Sequence, residues 1–536
     1  MFKRKRIIVF SPYSGIWAHQ LQQTQLFRKY NFTEFDIITV SCGALLNRHC
    51  AVFESFGNGF DQKKQDQICK KCRISSGMTS TALNVFDVQL SDYLSSQERG
   101  DQLNISKKIS SEKLVDFKVN GYEIGRLSAF ETLIKYKKTD FLLDPEQEQY
   151  WRNGIYQGLV TLLSGERIIE KYQPDLVLAY SPQYAAGSVF AEVCRVKSIP
   201  VYFLEGSIHL SERYKAMHIW SWDHYGLVDP AIGKFKVEPD FLMSKSKRRR
   251  VTKHLMITEK SKSFAAYSTG KKKKQNIRSE FKIPIEKKIV LCALSSTDEI
   301  FSGYVIGKIA STLYEGNVFQ NQFDWICETI ELAKIHQEIF FIIRLHPRMA
   351  SNRRENITSP DVEKWRELLS VLPKNVIVDY PEDKRSVSNY FDQIDLLVTG
   401  WSSTAIDAMS KGVPALSYDA AVSWFPQVVV FACTSKQEYR STLLRKLDEG
   451  RSERNRQLAF DWLNYRLING TVEVQGRVID RLHLSNFKIV EKIYSFVTKY
   501  MFKSLARFEL FMLPRKKHPL PLEVGNLLSG KNSSLH

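Results

Sequence analysis

The chain has 536 residues, 43% apolar and 25% charged, which excludes a disordered polypeptide and exceeds what one hydrophobic core serves, so two domains are expected. Lys and Arg outnumber Asp and Glu 77 to 58, a formal charge of +19 that points to anionic partners. No finger spacing, RNP-like aromatic motif or base-reading basic helix accompanies that charge, which argues against nucleic acid. No window reaches the roughly 18 consecutive apolar residues of a membrane-spanning helix.

Residues 1–6 are basic and 7–10 apolar, as in a signal peptide, but the apolar run is short and breaks at Ser11-Pro12, so it reads as a first strand. A polar loop (11–15), a helix (17–30) and a second strand (35–40) follow. After a cysteine-rich segment, 106–136 and 147–172 carry helical patterns, 175–180 (DLVLAY) is a buried strand, 185–197 a helix, and 201–204 a strand ending at Glu205-Gly206. Residues 241–282 change character: KSKRRRV and KKKK bracket a polar stretch that reads as a basic connection. A second alternation begins at 288–294, with strands also at 340–345, 376–378, 396–399 and 414–417 and helices at 323–336, 387–393 and 404–411. Strands alternating with helices predict parallel, doubly wound α/β sheets, in which ligands sit beyond the carboxyl ends of the strands.

The strand-end loops therefore hold the candidate chemistry. In DLLVTGWSSTAIDAMSKGVPALSYD (395–419), a strand is followed by Ser402, Ser403 and a helix opening at Thr404, whose N–H groups and hydroxyls suit an anion; the competing reading is a plain helix cap. Asp407, about one turn further on, is placed to meet a ribose hydroxyl. In FFIIRLHPR (340–348), His346 follows a strand, Pro347 stiffens the turn, and Arg344 and Arg348 offer charge-assisted bonds to phosphate. Ser296, Asp298 and Glu299 follow the first strand of the second alternation; they suit phosphate, a sugar hydroxyl or a metal, or else cap a helix.

RLHPR and TGWSSTAIDAMSKGVPALSYD resemble the capsule polysaccharide biosynthesis proteins, glycosyltransferases that share an HP motif and a serine motif with bacterial sialyl- and Kdo transferases. The resemblance spans roughly 170–420. It implies the GT-B fold, two Rossmann-like doubly wound domains facing a cleft with a C-terminal helical tail, and a nucleotide-sugar donor held by the HP and serine motifs. Glu205-Gly206 stands where sialyltransferase-like groups keep an acid–glycine motif holding the general base; one acid is present where some relatives carry two. Glu205 is thus the first candidate for the base that takes the acceptor hydroxyl's proton, and His19 the second. Non-hydrolysing UDP-sugar epimerases also carry a strand–His-Pro element, but their nucleotide turn is glycine-rich with paired glutamates, unlike WSSTAIDA. Polyglycerol-phosphate transferases of the CDP-glycerol type remain the runner-up, and a non-catalytic GT-B-like glycan- or lipid-binding protein the reading of a different class.

Cys42, Cys50, Cys69 and Cys72 crowd together with one CxxC, which reads as a structural four-cysteine zinc site, an iron–sulfur cluster being the lesser alternative. Some capsule-type relatives carry a similar insertion. In 487–513 apolar and basic residues alternate at helical spacing, the pattern of a helix lying in an anionic membrane surface or closing across the first domain. The expected organisation is an acceptor-side domain (1–240), a basic linker (241–282), a nucleotide-sugar domain (283–450), and closing helices with a basic tail (451–536). The expected setting is cytoplasmic, peripheral to the inner membrane face, with a glycan or lipid-linked acceptor.

Overall fold

The computed structural model describes residues 4–16, 23, 24, 26, 27, 29–56, 61–206, 216–221, 232, 235–237, 245–259, 276–351, 356–468, 471–474, 519–521, 524 and 525. The chain forms two compact α/β units, one of 1–132, 141–225 and 470–536 and the other of 133–140 and 226–469. Among the described residues, no helix is long and apolar enough to cross a membrane.

The first unit is built on strands β1 (Lys5–Phe10), β2 (Phe35–Ser41), β3 (Phe86–Gln89), β4 (Leu176–Ala179), β5 (Val201–Gly206) and β6 (Ala216–Ser221). The second holds β7 (Lys288–Ala293), β8 (Ile339–Arg344), β9 (Val376–Asp379), β10 (Leu396–Thr399), β11 (Ala415–Ser417) and β12 (Phe431–Ala432). β13 (Thr471–Glu473) returns to the first unit. The first sheet runs β13-β6-β5-β4-β1-β2-β3, parallel from β3 to β5, with β6 antiparallel to both β5 and β13. The second runs β12-β11-β10-β7-β8-β9 and is parallel throughout. Both are doubly wound, as the alternation of strand and helix patterns predicts. β8 shows why: all six residues of IFFIIR are buried, as a strand covered by helices on both faces must be. Each such Phe or Ile contributes about 1.5–3 kcal/mol on burial.

The helical pattern over 106–136 does not form one helix. The Ser96–Lys108 helix stops at Ile109, which is extended, and Asn120 and Gly121, both at positive φ, turn the chain back so that Val119 bridges Tyr122. Asn-Gly is a strong turn former and outweighs the surrounding helical periodicity. The basic 241–282 stretch contains an ordered helix, Lys245–Glu259, that packs against the Glu453–Ile468 helix within the second unit; Val251 is fully buried and His254 buried beside it. The 487–513 tail and the expected membrane contact lie outside the described residues.

Candidate functional site

In the second sheet the chain leaves β7 toward β8 on one side and later returns to β10 on the other, so the β7 and β10 ends form the topological switch point where doubly wound folds bind ligands. Thr399 Oγ1 ties the two ends together by donating to the Ala293 carbonyl at 2.7 Å. A cavity of about 340 Å³ opens there, lined by the loops after β7, β8, β9 and β10 and by the Lys245–Glu259 helix.

His346, Arg344, Ser402, Ser403, Thr404 and Asp407 all line this cavity. The turn that carries the serines is set by glycines. A Cβ on Gly400 would stand 3.1 Å from the Tyr418 ring, and Gly412, at φ +86°, ends the helical segment before the Pro414 turn. Asp419, at the end of the motif, is structural: its carboxylate accepts from the N–H groups of Asn317, Val318 and Phe319. The Thr404–Met409 helix has only six residues, so its dipole is short and the hydroxyls matter more. Ser402 Oγ lies 2.9 Å from Thr404 Oγ1 and accepts from the Thr404 N–H at 3.4 Å, whereas Ser403 makes no side-chain cap. The cap reading thus fits Ser402 in part and leaves Ser403 unexplained.

His346 is a neutral donor. Burial, then the charges of Arg348, Arg344 and Lys137, push its pKa down to about 3. Its Nδ1 accepts from the Arg348 N–H at 3.3 Å, which places the proton of the neutral ring on Nε2. Asp407 moves the other way: burial and then Glu259 raise its pKa to about 7, with Lys411 opposing.

The arginines are committed to the protein. Arg344 pairs with Asp379, donates to the Arg385 carbonyl at 2.8 Å and sits over the Tyr390 ring, although it still faces the cavity. Arg348 is 1% exposed, does not line the cavity, and donates to Asp298 at 2.8 Å and to the Ile134 carbonyl at 2.6 Å. Asp298, expected to meet a sugar or metal, is therefore the buried partner of Arg348, and Ser296 donates to its other oxygen at 2.6 Å. Neither these two nor Glu299 lines the cavity. Ser296 stands at the N-cap position of the Thr297–Val305 helix without a side-chain cap bond, and both acids lie in its first turn, so the bland helix-start reading fits this segment in part. Sequence reasoning passed over Ser386, Ser388, Lys411, Thr252 and Glu259, which also line the cavity. Only the proximity of the serine motif signalled Lys411, and nothing signalled the others.

In the first unit, Glu205 lies inside β5 rather than beyond its end, half-buried and directly opposite His218 of β6 in the antiparallel register. Such a pair brings Cβ atoms to about 5 Å, and no sequence signal linked the two. His19 lies outside the described residues. The cysteine reading finds no support among the described residues. Cys42, Cys50, Cys69 and Cys72 do line one small cavity of about 30 Å³. Yet among the described residues no three His, Cys, Asp or Glu form a set that could hold a metal ion. Cys69 and Cys72 sit on the long Gln62–Leu83 helix instead of a closed knuckle, and burial pushes the Cys42 thiol up to about 12.

No protein-family model and no curated protein matches the sequence. Among solved structures, the chain is similar to a UDP-GlcNAc 2-epimerase from Neisseria meningitidis bound to UDP-GlcNAc, at 13% identity and TM-score 0.28, covering 86% of this chain and 96% of that one. The spinosyn rhamnosyltransferase SpnG with its aglycone is similar at 9% identity and TM-score 0.25, with coverage of 86% and 96%. The β-Kdo 2,7 transferase KpsC of Thermosulfurimonas dismutans is similar at 12% identity and TM-score 0.29, over 51% of this chain and 74% of that one. At these scores the two doubly wound sheets rest on the strand order itself.

Proposed function

We propose that this protein is a glycosyltransferase of the GT-B type that moves a sugar from a nucleotide-sugar donor to a capsular or other surface polysaccharide or glycolipid acceptor. The observation that carries this reading is the switch-point cavity that gathers His346, Ser402, Ser403, Thr404 and Asp407 at the ends of parallel strands. In the transfer, the acceptor oxygen attacks the anomeric carbon, its proton passes to a base, and the bond from that carbon to the donor phosphate breaks with its electron pair on the leaving nucleotide. His346 Nε2–H and the three hydroxyls are the donors we assign to that phosphate, the protonated Asp407 carboxyl to a ribose oxygen, and Glu205 to the proton. A cytoplasmic, membrane-peripheral setting belongs to the same proposal.

The test is a thermal-shift panel of UDP- and CMP-sugars and CDP-glycerol on the whole chain and on His346→Ala. Stabilisation by a nucleotide sugar that the variant loses supports the transferase and names its donor class. Stabilisation by CDP-glycerol alone transfers the assignment to polyglycerol-phosphate chemistry. No response to any nucleotide overturns the reading in favour of a non-catalytic binding protein.

A further inference from the structure

The Lys245–Glu259 helix contributes Thr252, Leu255, Met256 and Glu259 to the cavity wall. These recur at the spacing of one helical stripe. Continued toward the N-terminus, the same stripe carries Lys245, Arg248 and Arg249, all exposed. At a rise of about 1.5 Å per residue, the nearest of these cations begins about 5 Å beyond Thr252 and the farthest about 10 Å. Elsewhere on this unit some exposed cations sit beside carboxylates, Lys436 by Asp324, Arg440 by Glu328 and Arg456 by Glu453, while Lys282, Lys374 and Arg454 have no ion pair among the described residues and do not line the cavity. Lys245, Arg248 and Arg249 have no ion pair among the described residues.

Like charges three and four residues apart, Lys245 with Arg248 and Arg249, repel, and Lys245 at the helix N-terminus also meets the positive end of the dipole. The helix has no acid in its first turn and no base in its last, the reverse of the favourable arrangement. The three cations stand in a row of positive charge in line with the cavity wall.

We propose that Lys245, Arg248 and Arg249 form a second, anion-binding site continuous with the cavity, which takes the negatively charged groups of an anionic glycan. The glycan rather than a lipid surface is favoured by continuity: a chain molecule whose end reaches the cavity runs along the stripe, whereas a bilayer needs no pocket beside it. The identification of the glycan as acceptor rests on the transferase reading; the anion site itself does not.

The experiment uses the full chain with labelled hexagalacturonate, maltohexaose as neutral control, and phosphatidylcholine vesicles with and without phosphatidylglycerol. Wild type is expected to bind hexagalacturonate but not maltohexaose, more weakly as salt rises. R248E/R249E is expected to lose about tenfold or more in affinity, the sum of a few exposed ion pairs reversed in sign. Glutamate there relieves repulsion, so the variant keeps its melting temperature, and it keeps any nucleotide-induced shift because neither residue lines the cavity. Equal hexagalacturonate affinity in the two proteins, or no binding by wild type, overturns the proposal; binding of the anionic vesicles alone overturns it in favour of a membrane. Loss of nucleotide response in wild type, by contrast, sinks the transferase reading and leaves the anion site standing.

Discussion

Arg348 separates a phosphate ligand from a structural ion pair. Its guanidinium is 1% exposed and bonded to Asp298 and the Ile134 carbonyl, while Asp298 is itself buried. Removing one partner of such a pair strands a charge in low dielectric, at about 3–5 kcal/mol. For a unit of this size each kcal/mol lowers the melting temperature by roughly 2–4 °C, so Arg348→Ala is expected to lower it by about 10 °C. Asp298→Ala should act in the same direction. The apolar pair R348M/D298L removes both charges and should recover most of the loss. Tryptophan fluorescence on heating reports this unit well, since Trp325, Trp365 and Trp462 are buried in it. If Arg348→Ala melts within about 2 °C of wild type while losing nucleotide binding, Arg348 is a ligand and the burial argument is wrong.

With its pKa held near 3, His346 stays neutral while the unfolded chain protonates its histidines near 6.5, so it makes stability fall as pH drops from about 6.5 toward 3. His346→Gln should flatten the melting temperature over that window, and an unchanged slope refutes the assignment. Asp407 has the opposite sign: a pKa raised to about 7 gives stability that is present below about 4 and lost as pH rises through 7. Asp407→Asn should therefore melt higher than wild type at pH 8 and equal to it at pH 3.5; a lower melting point at pH 8 contradicts a buried, protonated carboxyl. Alkylation with iodoacetamide at pH 8, followed by peptide mass spectrometry, should label exposed Cys327 well before Cys42 and Cys50, whose thiols burial pushes up. Cys42 reacting at the rate of a small-molecule thiol refutes that ordering.

The parallel sheets were legible because buried parallel strands are continuous apolar runs: DLVLAY, FFIIRL and DLLVTG mark β4, β8 and β10 within a residue or two. The serine and His-Pro motifs were legible because they occupy the strand-end turns of those same runs. Short strands escaped. β3 is four residues with an exposed Phe86, β13 is three, and β6 alternates buried Met217 and Ile219 with a histidine and a tryptophan. Pairings between distant segments were also hidden: nothing near Arg348 announces Asp298, fifty residues earlier, as its partner. The cysteines were read from spacing as a tetrahedral cage; in the fold all four line one small cavity, two of them on one helix, and no metal-holding set forms among the described residues.

The charges around the cavity follow a pattern that no single residue reveals. Arg344 is neutralised by Asp379, Arg348 by Asp298, and Lys411 stands 3.9 Å from Glu259. His346 carries no charge at neutral pH, and Asp407 is held near the edge of losing its own. Under the proposed function the cavity would hold a phosphate through hydrogen-bond donors of nearly neutral groups, and those donors would strengthen as charge develops on the leaving oxygen. A pocket lined by unpaired arginines would instead bind substrate and departing nucleotide with equal force and slow product release. The cations on the Lys245–Glu259 helix stand about 5–10 Å further out, where, under the second proposal, they attract an anionic chain without holding the nucleotide. Moving one inward tests the division: Ser402→Arg should tighten binding of the free nucleotide and lower turnover together. Tighter binding with undiminished turnover would show that the neutrality of the cavity serves no catalytic end.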